Sequence, residues 1–188
     1  MARPSNPAAR TAILEAAVAV VAEQGLATPV SRIAARAGVA QGSVFNHFPT
    51  KAALLNQTYL HLVDDLQARF PQTVPGGDAF EPALHALWQD WMRWATDDPS
   101  RRLAHKRLGS SDDITAETQA EARRREEPGC RFLRKAASLG GLRDEPQAFV
   151  FDIVCGIANT TMDAMTAHPE EATHYCEVGY RTFRQALS

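Results

Sequence analysis

The chain has 188 residues, of which 22% are charged, and its formal net charge is −2. This length is enough for one compact domain or for a small domain fused to a larger one, and the charge excludes a uniformly basic nucleic-acid-binding protein. The charge is uneven, however, because residues 1–56 contain five Lys or Arg and two Glu, whereas the rest contain 15 basic and 20 acidic side chains. A basic N-terminal segment is the electrostatic feature expected of an end that binds DNA.

The chain contains three cysteines, namely Cys130, Cys155 and Cys176. They are far apart and odd in number and form no CxxC motif, so they predict neither a disulfide framework nor a zinc site. The spacing of His168, His174 and Cys176 loosely resembles that of metal ligands. The three residues straddle a turn at Pro169, however, and no carboxylate pattern completes a ligand set. We expect no metal and no cofactor.

The longest apolar run, Ala16 to Ala22, is too short to cross a bilayer, and no signal peptide is apparent. We therefore expect a cytoplasmic protein without membrane association. No nucleophile–base pair, metal cluster or phosphate-cradling glycine loop stands out, so an enzyme is the weaker alternative among the possible function classes.

Periodic apolar residues at Ile13, Ala17 and Val20 predict a first helix that ends at Gly25. The segment from Met1 to Pro7 contains two prolines and is predicted to be a flexible arm. Within or just after this arm, Arg3 or Arg10 is placed to reach the backbone or minor groove of DNA.

Residues 31–51 predict two short helices joined at Gly38, which is the plan of a helix-turn-helix. Ala34 is small enough for the helices to approach closely, and Gly38 can adopt the positive φ of the turn. In the second helix Val44 and Phe48 are four residues apart and face inward. An ordinary helical hairpin is the alternative interpretation of this segment alone.

The opposite face of the second helix carries polar groups suited to a major groove. Lys51 lies in the first turn of the next helix, where a cation opposes the helix dipole and is better explained by a phosphate partner. The candidate DNA-binding residues are Ser31, Gln41, Gly42, Ser43, Phe45, Asn46, His47 and Lys51.

Several motifs follow one another at characteristic spacings between Arg10 and Leu55. They are Ile13-Leu14-Glu15-Ala16-Ala17, Glu23-Gln24-Gly25, Ile33-Ala34, Ala37-Gly38-Val39, Gly42-Ser43, His47-Phe48 and Lys51. This segment resembles the DNA-binding domain of the TetR/AcrR family of transcriptional regulators.

The resemblance implies a role for each matching residue of this DNA-binding segment. His47 and Lys51 would contact phosphates, Gln41 and Ser43 would face bases or phosphates, and Ser31 would reach the groove edge. Phe45 stands where the family usually has a tyrosine whose hydroxyl hydrogen-bonds a phosphate, so this chain lacks that donor.

After residue 52 apolar residues recur at three and four positions, and no strand alternation appears. The fold class we predict is all-α, with an N-terminal three-helix helix-turn-helix domain (residues 1–50) and a helical effector-binding and dimerisation domain (residues 51–188). Asp112 or Asp113 is predicted to cap one helix and Asp144 another. The charged run Arg123 to Glu127 predicts a solvated face with local ion pairs.

Two apolar helices end the chain, and each contains an interior glycine that costs about 1 kcal/mol relative to alanine. Such a cost is typical of close helix packing. In the resembling family the last two helices form a four-helix bundle between subunits, which implies a homodimer here. The candidate interface residues are Phe149, Ile153, Gly156, Tyr175, Gly179 and Thr182.

A set of aromatic, sulfur-containing and amide side chains predicts an apolar effector pocket, although core packing explains the aromatic residues almost as well. Asn159 is the most suggestive of them, because a buried amide within an apolar helix needs a partner. The candidate ligand-binding residues are Trp88, Trp91, Met92, Phe151, Cys155 and Asn159.

The function that we predict is a ligand-responsive regulator, a repressor that an unknown small molecule releases from a palindromic double-stranded DNA operator. The alternative on the same scaffold is a thiol-based redox sensor. It rests on Cys130, because the neighbouring Arg131 and Arg134 provide an electropositive setting.

Overall fold

The computed structural model describes residues 7–187, and every regular element among these residues is helical. The helices are α1 (Pro7–Gln24), α2 (Val30–Arg36), α3 (Gln41–His47), α4 (Lys51–Gln67), α5 (Phe80–Asp97), α6 (Pro99–Gly109), α7 (Ala116–Arg125), α8 (Glu127–Ser138), α9 (Gln147–Ala167) and α10 (Ala172–Leu187). Short 3₁₀ turns at Gly77–Ala79 and Pro169–Glu171 precede α5 and α10. The all-α prediction is therefore confirmed. The predicted N-terminal arm, including Arg3, lies outside the described residues except for Pro7.

The described residues form two compact units. The first comprises residues 7–65 and 98–125, and the second comprises residues 66–97 and 126–187. The first unit therefore adds most of α4, with α6 and α7, to the three N-terminal helices. The division of function between residues 1–50 and 51–188 stays a prediction.

The core of the first unit forms where α1 packs against α2 and α3. Ile13, Ala17, Ile33 and Val44 are all at most 1% exposed in this core. The end of α1 is fastened by Arg107 of α6, whose Nη1 donates to the carbonyl oxygens of Val21 and Ala22 at 2.7 and 2.9 Å. These carbonyls belong to the last turn of α1, where that of Val21 also accepts from the amide of Gly25 at 3.0 Å, so the guanidinium contributes to the C-terminal cap.

A buried amide joins the start of α4 to the loop before α7. Asn56 donates from Nδ2 to the carbonyl of Asp113 at 2.8 Å, and its Oδ1 accepts from the amide of Thr115 at 3.0 Å. The prediction that Asp112 or Asp113 caps α7 is wrong. The Thr115 hydroxyl has that role, since it accepts from the amide of Thr118 at 3.2 Å.

The second unit is built on the packing of α5, α9 and α10. Trp88 is 1% exposed, stacks on Phe183 with 5.1 Å between the ring centroids, and donates from Nε1 to the carbonyl of Cys176 at 3.1 Å. Helix α9 begins at Gln147 rather than at Asp144 as predicted. Pro146 explains the difference, because a proline disfavours helical geometry in the residue before it.

Candidate nucleic-acid interface and partner surfaces

The turn between α2 and α3 has the geometry of a helix-turn-helix. Gly38 has φ +67°, a conformation that other L-residues rarely adopt. The amide of Val39 donates to the carbonyl of Ala34 at 3.0 Å, which closes the corner. Val44 and Phe48 are 1% and 2% exposed, as predicted for the inward face. The buried face of α3 thus fixes which of its side chains point outward.

The predicted DNA-binding residues lie together on α3 and beside its two ends, and none of them is buried. Ser31, Gln41, Gly42, Phe45 and Asn46 are exposed, whereas Ser43, His47 and Lys51 are half-buried. Phe45 keeps 41% of its surface exposed, which is unusual for a large apolar side chain on a short helix. The surface therefore combines polar groups with one aromatic ring. Its contacts with DNA stay a prediction.

The start of α4 is capped, and a cation lies in its first turn. Thr50 accepts from the amide of Ala53 through Oγ1 at 3.0 Å, as an N-cap does. The side chain of Lys51 makes no hydrogen bond or ion pair with any other described residue. The positive end of the helix dipole disfavours a cation at this position. Its ammonium group is thus available for an anion.

The other cations of the first unit near α3 differ in availability. Arg10 donates from Nη2 to Gln57 at 2.7 Å, and its guanidinium lies 5.2 Å from the centroid of the Phe48 ring. These contacts hold the Arg10 side chain, which we predicted to reach for DNA, against its own unit. Arg32 is exposed and, within residues 7–187, its side chain has no hydrogen bond or ion pair. Sequence reasoning missed Arg32, although its position next to Ser31 was a usable signal.

The predicted effector residues differ in their exposure, and their role in ligand binding stays a prediction. Trp88 and Met92 belong to the core of the second unit, and Trp91 and Cys155 are half-buried. Asn159 is exposed on α9, so the expectation of a buried amide is wrong. A helix that is apolar in sequence can still leave one face unpacked within a single chain, and Asn159 lies on such a face.

A cavity of about 230 Å³ lies between α8, the α8–α9 loop and the start of α9. Phe151 lines it, and Trp88, Trp91, Met92, Cys155 and Asn159 do not. Sequence periodicity did not reveal this cavity, because its walls come from the loop as well as from the helices.

The setting of Cys130 does not match the prediction of a reactive thiol. Burial raises the pKa of Cys130, the carboxylates of Glu126 and Glu127 raise it further, and Arg134 opposes them only in part. Burial also raises the pKa of Cys155 to about 12, and it raises the pKa of Cys176. A raised thiol pKa disfavours the nucleophilic thiolate, so the redox alternative loses its physical basis.

The outer face of α9 is unpacked in the single chain. Phe149 is 52% exposed, and a Cβ built on Gly156 would meet no atom within 4 Å. On α10, Thr182 is exposed and Tyr175 is half-buried.

Helix α9 is long and apolar enough to cross a membrane. One such helix is weak evidence of a membrane span, because the core helix of a soluble protein passes the same test.

Gly179 has a different environment from Gly156. It is buried, and a Cβ built on it would lie 2.2 Å from Oγ1 of Thr161 on α9. The close helix packing that its position predicted therefore occurs between α9 and α10 of the same chain. Its place in a subunit interface stays untested, and the packing within the chain already explains the glycine.

Among residues 7–187 no group of three or more His, Cys, Asp or Glu side chains is arranged to hold a metal ion. A polar cluster around Glu81 in the second unit is instead held together by ion pairs and hydrogen bonds. In that cluster Glu81 accepts from Tyr180 Oη at 2.6 Å and from Arg184 Nε at 2.8 Å. The hydrogen bonds from Tyr180 and Arg184 lower the pKa of Glu81 although burial alone would raise it.

Comparison with known proteins finds matches to the helix-turn-helix segment and to the fold. The profile of the family described as bacterial regulatory proteins, tetR family, matches residues 13–58. Over 79 residues the chain is 35% identical to the HTH-type transcriptional repressor KstR2 of Rhodococcus jostii (strain RHA1). That alignment covers 42% of this chain and 39% of KstR2, so it spans about two fifths of the relative's length.

Solved structures are similar over nearly the whole chain. A TetR-family protein of Shewanella sp. PV-4 matches with a TM-score of 0.81 and 24% identity, covering 95% of this chain and 97% of that one. A TetR family transcription regulator of Marinobacter aquaeolei VT8 has a TM-score of 0.79, 20% identity and 95% coverage of both chains. The regulator FadR of Bacillus subtilis, solved in complex with stearoyl-CoA, has a TM-score of 0.69, 16% identity and coverage of 94% and 96%. At these identities the likeness establishes the fold.

Proposed function

We propose that this chain, whose residues 13–58 match the profile of the bacterial regulatory proteins of the tetR family, is a DNA-binding transcriptional repressor without catalytic activity. It binds a palindromic operator as a homodimer and leaves it when a small molecule binds. The observation that carries the proposal is the polar, exposed face of α3 on a closed helix-turn-helix. In a bacterial cell such a protein acts in the cytoplasm.

The chemistry of the exposed face of α3 supports sequence-specific recognition of DNA. Gln41 carries an amide able to form two hydrogen bonds with adenine in the major groove, and Ser43 can donate or accept. His47, Lys51 and Arg32 are placed to contact phosphates, which fix the register of α3 without reading sequence. Asn46 is a further polar contact, and the Phe45 ring can pack against a thymine methyl.

A homodimer supplies the specificity that one short helix lacks. Helix α3 has seven residues, so it spans only a few base pairs. Two copies about 34–36 Å apart would read a palindrome in successive turns of the major groove. A symmetric site of this kind is long enough to be distinguished from nonspecific DNA.

The outer faces of α9 and α10 are the proposed dimer surface. Phe149 and Ile153 supply apolar area, and Gly156 leaves open space in which a partner helix can approach closely. Tyr175 and Thr182 extend the surface onto α10. An apolar helix face that stays exposed in one chain is typical of a protein–protein interface.

Release by a small molecule requires that the molecule favour a conformation with weaker DNA binding. A coupling free energy of about 1–3 kcal/mol would be enough to change operator occupancy severalfold or more. The B. subtilis FadR, whose fold is similar, was solved in complex with stearoyl-CoA, which supports the proposal that this chain binds an effector.

The proposal is tested by selecting duplexes from a random DNA pool with the purified protein. We expect the recovered sequences to contain a two-fold symmetric motif with half-sites about one helical turn apart. Binding to that motif should weaken steeply with rising salt because phosphate contacts release counterions. Recovery of no enriched motif, or of an asymmetric one bound by a single subunit, would contradict the proposal.

A further inference from the structure

We propose that the cavity between α8 and α9 binds a small aromatic monocarboxylate. The inference rests on the proposed function only in treating this molecule as the effector, since binding itself is independent of DNA. All residues of the cavity belong to the second compact unit.

The walls of the cavity are mostly apolar. Leu133 and Ala137 of α8 face Val150 and Phe151 of α9 across it. Phe151 retains 39% exposure although it lines the cavity, so its ring is only partly covered by the protein. A ligand that covers this ring removes apolar surface from water, which favours binding.

The volume limits the size of the ligand. The cavity holds about 230 Å³, whereas an engineered apolar cavity of roughly 150 Å³ already accommodates benzene. One aromatic ring with a small polar substituent therefore fits, and a large multi-ring molecule would have to extend into solvent.

Two guanidinium groups give the cavity its preference for an acid. Arg134 donates from Nη1 and Nη2 to the two carboxylate oxygens of Glu127, and within the described chain its Nε has no hydrogen bond. Among residues 7–187 the side chain of Arg143 pairs only with the adjacent Asp144, and both side chains are largely exposed. An exposed pair of this kind is weak, so Arg143 can exchange its partner for a ligand carboxylate at little cost.

The acidic side chains nearby limit the charge of the ligand. Glu145 lines the cavity as well, and Glu127 and Asp144 already neutralise part of the positive charge of the two arginines. A second negative charge on the ligand would meet Glu145 without a free cation to balance it. The site therefore fits a monoanion better than a dianion such as a phosphate or dicarboxylate.

The first experiment measures binding of four single-ring probes to the full chain by calorimetry: benzoate, benzyl alcohol, benzylamine and phthalate. We expect benzoate to bind with a dissociation constant of about 1 mM or tighter. The neutral alcohol should bind more weakly, and the amine and the dianion should bind weakest. Tighter binding of benzylamine would show that Glu145 controls the site and would overturn the proposal.

The location of the binding site is tested with variants of residues that line the cavity, each with a control variant on α8 or α9. Ala137→Leu fills the cavity and should abolish benzoate binding, whereas Ala148→Leu changes an exposed residue outside it and should leave binding intact. Arg134→Gln should weaken benzoate about tenfold. Arg131→Gln is the matched control, because Arg131 lies on α8 but does not line the cavity. Equal effects of a variant and its control would overturn the assignment.

The rate at which Cys130 is alkylated reports where the ligand binds, because Cys130 lines the cavity. Saturating benzoate should slow alkylation of Cys130 at least fivefold, measured by peptide mass spectrometry, while the rate at Cys155 stays unchanged. If benzoate binds and protects Cys130 but does not change operator affinity, the site stands and its role as effector site fails. If operator binding responds to benzoate without protection of Cys130, the ligand acts elsewhere and this proposal fails.

Discussion

The two surfaces that we propose to bind partners differ in chemistry and in what lies beneath them. The α3 surface, in the first unit, presents short polar groups and unpaired cations above a filled core. The outer face of α9, in the second unit, presents Phe149 and a glycine with open space around it. We therefore expect α3 to recognise its proposed partner by hydrogen bonds and charge, and α9 to recognise its own by apolar area and close approach.

The two units should respond differently to acid, and this is the largest effect that we expect. In the first unit burial holds the pKa of His105 on α6 at about 4, below its ordinary 6.5. The folded state thus favours neutral His105, so its stabilisation is present above pH 6.5 and is lost as the pH falls towards 4. A pKa lowered from 6.5 to about 4 corresponds to roughly 3 kcal/mol.

This prediction is checked by chemical denaturation at several pH values. The free energy of unfolding of the first unit should fall between pH 6.5 and 4.5, and His105→Phe should flatten that dependence while keeping a ring against Tyr59. The carboxylate of Glu81 in the second unit has a lowered pKa, so its contribution should be lost only below pH 4.5. An unchanged pH profile in His105→Phe would contradict the assignment.

The two glycines of the last helices offer a direct contrast. Gly179→Ala should destabilise the fold by about 2 kcal/mol, because the added Cβ would overlap Oγ1 of Thr161. Thermal unfolding measures the loss, and Thr161→Ala should restore most of it in the double variant. A stable Gly179→Ala protein would show that α9 and α10 do not pack as described.

Gly156→Leu should leave the fold intact and weaken the dimer. A Cβ at residue 156 meets no atom within 4 Å, so the single chain has room for the side chain. A partner helix in close contact does not, and we expect the dimer dissociation constant to rise at least thirtyfold, about 2 kcal/mol. Sedimentation velocity measures the change, with Asn159→Ala, on the same exposed face, as the milder comparison. An unaffected dimer would place the interface elsewhere.

Gln41→Ala and Lys51→Ala separate sequence reading from phosphate contact on the polar surface. Gln41→Ala should relax the preference at one symmetric base position by about 1–2 kcal/mol and leave nonspecific binding nearly unchanged. Lys51→Ala should weaken all duplexes alike and make the salt slope shallower by about one unit. Titrations against operator and scrambled duplexes distinguish them, and equal loss on both duplexes by Gln41→Ala would show that Gln41 does not read sequence.

The sequence predicted best what is determined locally. Gly38, Val44 and Phe48 define the turn and the inward face of α3 within a few residues of one another, so the polar face of α3 follows. Gly25, with φ +82°, likewise ends α1 where it was expected. Short-range turn chemistry and helical periodicity are sufficient for these features.

The environment of the predicted effector residues depends on packing between distant parts of the chain, which the sequence does not show. Trp88 looks like a pocket residue in sequence, but Phe183, 95 positions later, covers it in the core. Asn159 was expected to be buried because α9 is apolar, yet it lies on an exposed face of that helix. Cys130 was expected to have an electropositive setting because of Arg131 and Arg134. Its burial, which the sequence does not show, raises its pKa, and so do Glu126 and Glu127, whose helical spacing from Cys130 was a usable signal.

The most direct test of the central claim is the stoichiometry of the complex with its selected operator, measured by native mass spectrometry and by titration over a range of salt concentrations. We predict an even number of subunits on each duplex, with affinity that falls steeply as salt rises, while the free dimer is nearly insensitive to salt. A single subunit that binds the operator with full affinity, or binding that does not respond to salt, would contradict a repressor that reads DNA as a homodimer.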